Sequence, residues 1–218
     1  MLHTPECEPA RTSWTAASLD DVVRALELLS VGERPLVIAI DGRSASGKST
    51  FGARLAGHLP GSLLLHTDDV AWWESFFGWD HLMADDILVP ARRGQAVSFR
   101  PPAWHTHARE GTIDVPAGTR VIVVEGVGAS RRSLAPVIDT SVWVQSDYAE
   151  AHRRGIARDV VAGRTHSEAE DFWAEWTAQE DPFLADDRPW ERAAMTVCGT
   201  PGLADVDYDA ATEVLVAD

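Results

Sequence analysis

Between Gly42 and Ser49 the chain reads Gly-Arg-Ser-Ala-Ser-Gly-Lys-Ser, with Asp41 before it and Thr50 after it. Glycines at 42 and 47 admit backbone conformations that a Cβ resists, so successive N–H groups can converge on one point. A lysine and a hydroxyl follow at once. Convergent amides, an ammonium and a hydroxyl are what a nucleoside triphosphate and its magnesium ion require. Lys48 would reach the β- and γ-phosphates and Ser49 would bind Mg²⁺, with Ser44, Ala45, Ser46 and Thr50 completing the cradle. Two further places carry acids at the end of an apolar run: Leu63-Leu64-Leu65-His66-Thr67-Asp68-Asp69, and Val121–Val124 followed by Glu125. An acid beside a γ-phosphate can accept or orient the proton of an attacking hydroxyl. An acid near Ser49 supplies a second contact to magnesium.

The elements that must hold these residues can be read from periodicity. Pro35 to Ile40 is a short continuous apolar run leading straight into the loop, as suits a strand buried on both faces. Similar runs occur at 63–65, 121–124, 141–144 and, more weakly, 195–197. Helical patterns separate them, at 48–59, 148–162, 167–179 and near 208–216. Ser18 followed by Asp21 resembles a capping box before Val22, Val23, Leu26 and Leu29 at helical spacing. Buried strands alternating with helices predict an α/β/α sandwich on a parallel sheet of about five strands. Residues 1–17 read as a loose arm, and 18–218 as one domain.

Composition narrows the function. The chain has 218 residues, 45% hydrophobic, which suits one folded domain. No apolar run approaches the ~18 residues a membrane span needs, and no leader pattern is visible. Cys7 and Cys198 form no ligand pair, so a reducing cytoplasm is the expected compartment. A net charge of −15 argues against a nucleic-acid partner. The chain contains no asparagine, and Lys48 is its sole lysine. The Asn-Lys-x-Asp turn by which guanine-specific hydrolases read their base therefore cannot exist here. Residues 92–164 nevertheless carry 11 arginines against 7 acids, a basic middle that could meet an anion.

IAIDGRSASGKST at 38–50 resembles the opening strand and phosphate loop of the uridine–cytidine kinases and their P-loop kinase relatives, which include the phosphoribulokinases. His66-Thr67-Asp68-Asp69-Val70 is similar to that family's second-strand motif, whose first aspartate, here Asp68, is the catalytic base. Val-Ile-Val-Val-Glu-Gly at 121–126 resembles its metal-side strand, which places Glu125 near Mg²⁺. Trp79-Asp80-His81 looks like the segment whose aspartate holds ribose hydroxyls. Thr106-His107-Ala108-Arg109 resembles a stretch whose histidine meets the base. Residues 151–159 resemble the arginine-bearing lid (about 148–166 here), with Arg154 and Arg158 closing over ATP and the transferring phosphate. The resemblance spans roughly 35–200 and implies a P-loop NTPase fold.

Two departures stand out. Pro102-Ala103-Trp104 occupies the place of the family's Tyr-Asp-Phe, and Gly155 replaces the second lid arginine. The expected cofactors are ATP and Mg²⁺, and the expected partner is a small-molecule alcohol. A nucleoside-like acceptor comes first, with Asp69, Trp79, Asp80, Trp104, His107 and Arg109 as its contacts. Trp72 and Trp73 flank these segments, where flat rings could stack on a planar substrate. The alternatives are another alcohol (a sugar, a cofactor precursor or an antibiotic hydroxyl) and a regulator that holds ATP without transferring phosphate. One consequence follows from composition alone. An amine-reactive ATP analogue should label Lys48 and, besides it, only the N-terminal amine; peptide mapping that finds Lys48 unmodified while nucleotide is bound would contradict the loop assignment.

Overall fold

The computed structural model describes residues 2–28 and 34–217. In chain order, β1 (Trp14–Ser18) leads into α1 (Leu19–Glu27), followed by β2 (Leu36–Gly42), α2 (Lys48–Gly57), β3 (Ser62–His66) and α3 (Thr67–Ala71). A π-helical turn at Leu82–Leu88 runs into α4 (Val89–Arg92), and the hairpin β4 (Val97–Phe99) and β5 (Ile113–Val115) encloses α5 (Pro102–Thr106). Then come β6 (Val121–Glu125), β7 (Thr140–Gln145), α6 (Tyr148–Val161), α7 (His166–Asp187), β8 (Met195–Cys198) and β9 (Glu213–Ala217).

The main sheet has the order β1-β9-β8-β7-β2-β6-β3. Its five strands from β8 to β3 are mutually parallel and are the five apolar runs of the sequence. Strand β2 is buried along its whole length because it lies between β6 and β7. Alternate residues serve opposite faces. Leu36, Ile38 and Ile40 pack with Val22, Leu26, Phe51 and Leu55 of α1 and α2. Val37 and Ala39 pack on the other face with Val70, Trp79, Met83, Ile87 and Leu88. Helical layers on both faces make the sheet the middle of a sandwich.

Helix α1 starts as its sequence requires: the Ser18 hydroxyl accepts the Asp21 N–H at 3.1 Å, and Leu19, Val22, Val23 and Leu26 are buried. Leu29, the next residue of that series, lies outside the described residues.

Three expectations differ. The segment near 208–216 is not helical; Glu213–Ala217 forms β9, antiparallel to β1 and β8. Its Val-Leu-Val core is too short for periodicity to separate strand from helix. The N-terminal residues, read as a loose arm, supply the edge strand β1 and bury Leu2 against Trp14, Cys198 and Leu215. Helix α7 runs on past Gln179 through Pro182 to Asp187, because Glu180, Leu184 and Asp187 are buried by the body of the protein. Tertiary packing there outweighs the hydrogen bond that proline removes.

Helices α6 and α7 pack as an antiparallel pair where the sequence leads one to expect the lid. Their closest approach explains Gly155. A Cβ at that position would stand 2.1 Å from Trp173 Cζ3. The indole thus takes the space beside residue 155 where a longer side chain would begin. His152 adds an edge contact to the same ring at 5.3 Å and a hydrogen bond to Glu170 at 2.9 Å. Gly→Ala inside a helix ordinarily stabilises by about 1 kcal/mol, whereas overpacking a filled site costs about 1–3 kcal/mol. Gly155→Ala should therefore lower the urea midpoint of unfolding. A higher midpoint would show that the α6–α7 contact is loose.

Candidate active site

The sheet register brings the three loops of interest to one edge. Ile40 of β2, Glu125 of β6 and His66 of β3 are neighbours in the ladder. The chain leaves these strands into the phosphate loop, the turn after Glu125, and Thr67-Asp68-Asp69, all at the carboxyl ends of parallel strands, where α/β sheets bind ligands.

The phosphate loop has the backbone its sequence calls for. Gly47 has φ +99° and caps α2, and Ala45 takes φ +56°. Gly42 is needed for space, since a Cβ there would lie 2.7 Å from the Val144 carbonyl. Lys48 is buried and donates to the Arg43 carbonyl at 3.1 Å, folded back over the loop. The Ser46 hydroxyl is buried with no hydrogen-bond partner, which leaves a polar group turned inward at the loop. Ser44 is buried and Thr50 exposed at the start of α2.

Asp41 ties this loop to its neighbour. Its carboxylate is fully buried and accepts four hydrogen bonds at 2.8 Å, from the N–H groups of Gly42, Gly128 and Ser130 and from the Ser130 hydroxyl. Burial pushes the carboxyl upward in pKa, and the four donors oppose that shift by favouring the charged form.

Ser49 and Glu125, the residues expected to meet magnesium, lie side by side, with Ser49 Oγ donating to Glu125 Oε2 at 3.1 Å. The other carboxylate oxygen, Oε1, lies 2.5 Å from Nδ1 of His66. Two hard oxygen donors side by side, flanked by a phosphate loop, fit a magnesium ion that takes its remaining ligands from phosphate and water. Among the described residues no cluster of three His, Cys, Asp or Glu could hold a metal unaided.

Asp68 is exposed in the first turn of α3, and its carboxylate has no partner among the described residues. Arg154 comes to the rim of the phosphate loop: its Nη1 donates to Gly199 O at 2.7 Å, and its Nε bonds Glu150 at 3.0 Å. Gly199 presses on the loop so closely that a Cβ would sit 1.9 Å from the Ser46 carbonyl oxygen. Arg158 is more than half exposed and pairs with Asp159 rather than with the loop. Other arginines of the basic middle also pair within the fold, Arg92 with Asp139 and Arg132 with Asp186.

The residues expected to contact the acceptor fall into three groups. Asp69 and Arg109 form an ion pair at 2.6 Å, Arg109 lies 3.7 Å from the centre of the Trp104 ring, and Trp104 donates to the Asp69 carbonyl at 2.8 Å. His107 stacks on Trp73 at 4.4 Å and 8°, and Trp73 leans against Trp72; both tryptophans are largely exposed. Asp80 faces Arg131 at 3.7 Å. Trp79 is not available to an acceptor: it is 1% exposed and packs in the core, its Nε1–H donating to the Phe76 carbonyl.

Sequence reasoning assigned no role to Glu8, Arg43, His66, Glu180 or Gly199. His66 and Gly199 could have been found from their positions at strand ends. Glu180 could not, because it lies beyond the helical pattern read for α7. It is 1% exposed and accepts the Ser44 N–H at 2.7 Å and the Trp176 indole N–H at 3.1 Å. Burial pushes its carboxyl up, against these bonds and the charges of Arg43 and Lys48.

No protein-family model matches the chain, and no curated protein matches it in sequence. Solved structures do resemble it. A proposed fructose transport system kinase from Silicibacter sp. TM1040 aligns with a TM-score of 0.55 at 19% identity, over 81% of this chain and 95% of that one. The YGR205w protein aligns with a TM-score of 0.54 at 12% identity, over 83% of this chain and 92% of that one. A proposed uridine kinase from Bacillus stearothermophilus gives 0.48 at 19% identity, over 82% of this chain and 96% of that one. The first two likenesses show a shared fold. That fold is a largely parallel α/β sheet between helical layers, with the loop at 42–49 at the carboxyl edge of its central strand. Among the described residues no helix is long and apolar enough to cross a membrane.

The contact between Gly199 and the loop gives a direct test. Gly199→Ala should displace Ser46 and weaken MgATP binding at least about tenfold, since misplacement near 1 Å is costly in preorganised sites. Unchanged affinity in a calorimetric titration would mean that Ser46 can move without consequence.

Proposed function

We propose that the chain is an ATP-dependent kinase that transfers the γ-phosphoryl group to a hydroxyl of a small molecule. The observation that carries this reading is the unpartnered carboxylate of Asp68 at the same sheet edge as a complete phosphate loop. A nucleotide-holding regulator needs the loop and has no use for an exposed acid beside it.

Each residue has a distinct task in this reading. The amides of Ala45 to Thr50 and the Lys48 ammonium bind the β- and γ-phosphates, Ser44 shapes the turn before them, and Gly42 and Gly47 let the loop close around the phosphates. Ser49 and Glu125 would hold magnesium, which supplies charge neutralisation between the phosphates. Asp68 takes or orients the acceptor proton as the oxygen approaches phosphorus. Arg154 neutralises charge from the lid side. Arg158 joins it only if its pairing with Asp159 is exchanged for phosphate. Little covalent chemistry is asked of the protein; positioning and electrostatics carry the rate.

For the acceptor, Asp69 and Arg109 offer charged groups near Asp68; Trp104, expected as a further contact, is only 4% exposed and lies in the core beneath Arg109, so it supports that arginine and does not meet a ligand itself. His107, with Trp72 and Trp73, offers exposed rings for a planar group, and Asp80 an acceptor for hydroxyls. A nucleoside such as uridine or cytidine meets all of these and is the first candidate. Another alcohol is the second, because Pro102-Ala103-Trp104 stands where the resembling kinases carry Tyr-Asp-Phe. The site as proposed needs no nucleic acid and no membrane, and its ATP and reduced cysteines suit a cytoplasmic setting.

The test is ATP consumption with Mg²⁺ over a panel of nucleosides, sugars and cofactor precursors. Lys48→Ala should abolish turnover and weaken ATP binding. Asp68→Asn should leave ATP binding nearly intact and lower transfer by roughly 10²–10⁴-fold. Full activity in Asp68→Asn would remove the assigned base, and tight ATP binding with no product from any acceptor would favour the regulator.

A further inference from the structure

Arg43, the second residue of the phosphate loop, has a side chain only 3% exposed. Three carboxylates surround its guanidinium. Nε donates to Glu8 Oε2 at 2.9 Å, Nη1 to Asp181 Oδ1 at 2.5 Å, and Nη1 lies 3.7 Å from Glu180 Oε2. Nη2 lies 3.8 Å from Cys7 Sγ, and the Tyr148 ring is 5.7 Å away. Burial works against the charge of Arg43, and Glu8 and Glu180 overcome it, holding the guanidinium above its ordinary range.

Glu8 is itself fixed from two directions. Its Oε1 accepts Trp143 Nε1 at 2.8 Å and Gln145 Nε2 at 3.0 Å, both on β7, the strand beside β2. Its backbone is held by the arm's own turn, from Glu8 N to the Pro5 carbonyl at 2.9 Å and from the Thr4 hydroxyl to Glu8 O at 2.7 Å. The arm is also tied to the start of α6. His3 N donates to Asp147 at 3.0 Å, and Tyr148 N donates to the His3 carbonyl at 2.8 Å.

These contacts converge on one turn of the phosphate loop. Glu8 fixes the side chain of Arg43, the Arg43 carbonyl receives the Lys48 ammonium, and Glu180 receives the next N–H, that of Ser44. We propose that Glu8 and Glu180 are positioning residues for the nucleotide, and that the N-terminal arm is thereby part of the binding site. Held in this way, the first turn keeps its amides and its lysine aimed before any phosphate arrives, so less ordering has to be done on binding. The inference rests on the ATP reading given above.

A competing account would make Glu180 an anion that occupies a phosphate's amide and must be expelled; the two accounts predict opposite signs. The experiment measures MgATP affinity by calorimetry, amide hydrogen exchange of residues 42–50 without nucleotide, and the thermal midpoint. It compares the wild-type chain with Glu8→Gln, Glu180→Ala, Glu180→Gln and, as a control of equal charge change on the same arm, the exposed Glu6→Gln. Glu8→Gln and Glu180→Ala should each weaken MgATP about tenfold, the equivalent of one hydrogen bond to a charged group. Both should speed exchange in the loop while the midpoint moves by only a few degrees. Glu180→Gln, which keeps an acceptor for the Ser44 N–H, should recover most of the loss, and Glu6→Gln should match wild type. Tighter binding in Glu180→Ala would overturn the proposal in favour of a competing anion, and unchanged affinity and exchange would overturn it outright. A wild-type chain that binds no MgATP would fail at the first titration, bringing down the nucleotide reading and this inference together, and so is distinct from a failure confined to the variants.

Discussion

A single buried carboxylate sets the terms for the candidate site. Asp41 stands next to last in the central strand, and a buried carboxyl group is not tolerated in such a place unless its lone pairs are filled. Its four donors come from two loops, the start of the phosphate loop and the turn at 128–130. Neither loop can supply four alone. Both must therefore be folded against the strand end together. Leaving any one of these groups unpaired would cost roughly 1–3 kcal/mol, the desolvation penalty of a buried polar group. The geometry at Ser49 and Glu125 depends on this closure, because the turn held by Asp41 begins three residues after Glu125.

The local charge balance differs from that of the whole chain. In the kinase reading a protein of net charge −15 has to bind a polyanion. The groups proposed for this are short-range, namely loop amides, the α2 dipole, Lys48 and Arg154, which act over a few ångströms where the summed surface charge is screened. Much of the arginine-rich middle is paired with the chain's own acids, Arg92 with Asp139 in the interior and Arg132 and Arg158 with Asp186 and Asp159 at the surface. The lid follows the same economy of space: Trp173 occupies the ground beside residue 155, so the helix pair gains a packed contact where a cationic side chain would otherwise project.

Sequence patterning reached the interior of this fold and lost accuracy toward its margins. The five parallel strands were legible because each is a continuous apolar run that has to be buried on both faces. Strands β1 and β9 were not, since Trp14–Ser18 is mixed in character and Glu213–Ala217 has too few residues to show a period. The phosphate loop could be read residue by residue, as its glycines, lysine and hydroxyl each answer a separate physical demand. Trp79 shows the opposite case. A tryptophan in a segment that resembles a substrate motif is still a large apolar ring, and burial claimed it. Glu8 and Glu180 carried no local signal at all. Their placement depends on contacts to residues 35 and 136 positions away, which no window along the chain contains.

In the kinase reading the two halves of the site answer different physical problems. Phosphates of a nucleotide are alike in every productive encounter, so the surface that meets them can be built once and made rigid, as the closure by Asp41 makes it. The half proposed for the acceptor is arranged otherwise: Asp69 holds Arg109, Arg109 covers the buried Trp104, and Trp73 covers His107. These groups satisfy one another. A ligand entering there exchanges existing contacts for its own, and gains affinity only by the difference between the two sets. Selectivity then rests on rejecting whatever cannot replace an ion pair and a stacked ring at once. In the kinase reading this has a further consequence, because Asp69 adjoins the proposed base. Opening the Asp69–Arg109 pair changes the charge beside Asp68 at the moment an acceptor is seated, coupling recognition of the alcohol to the group that takes its proton.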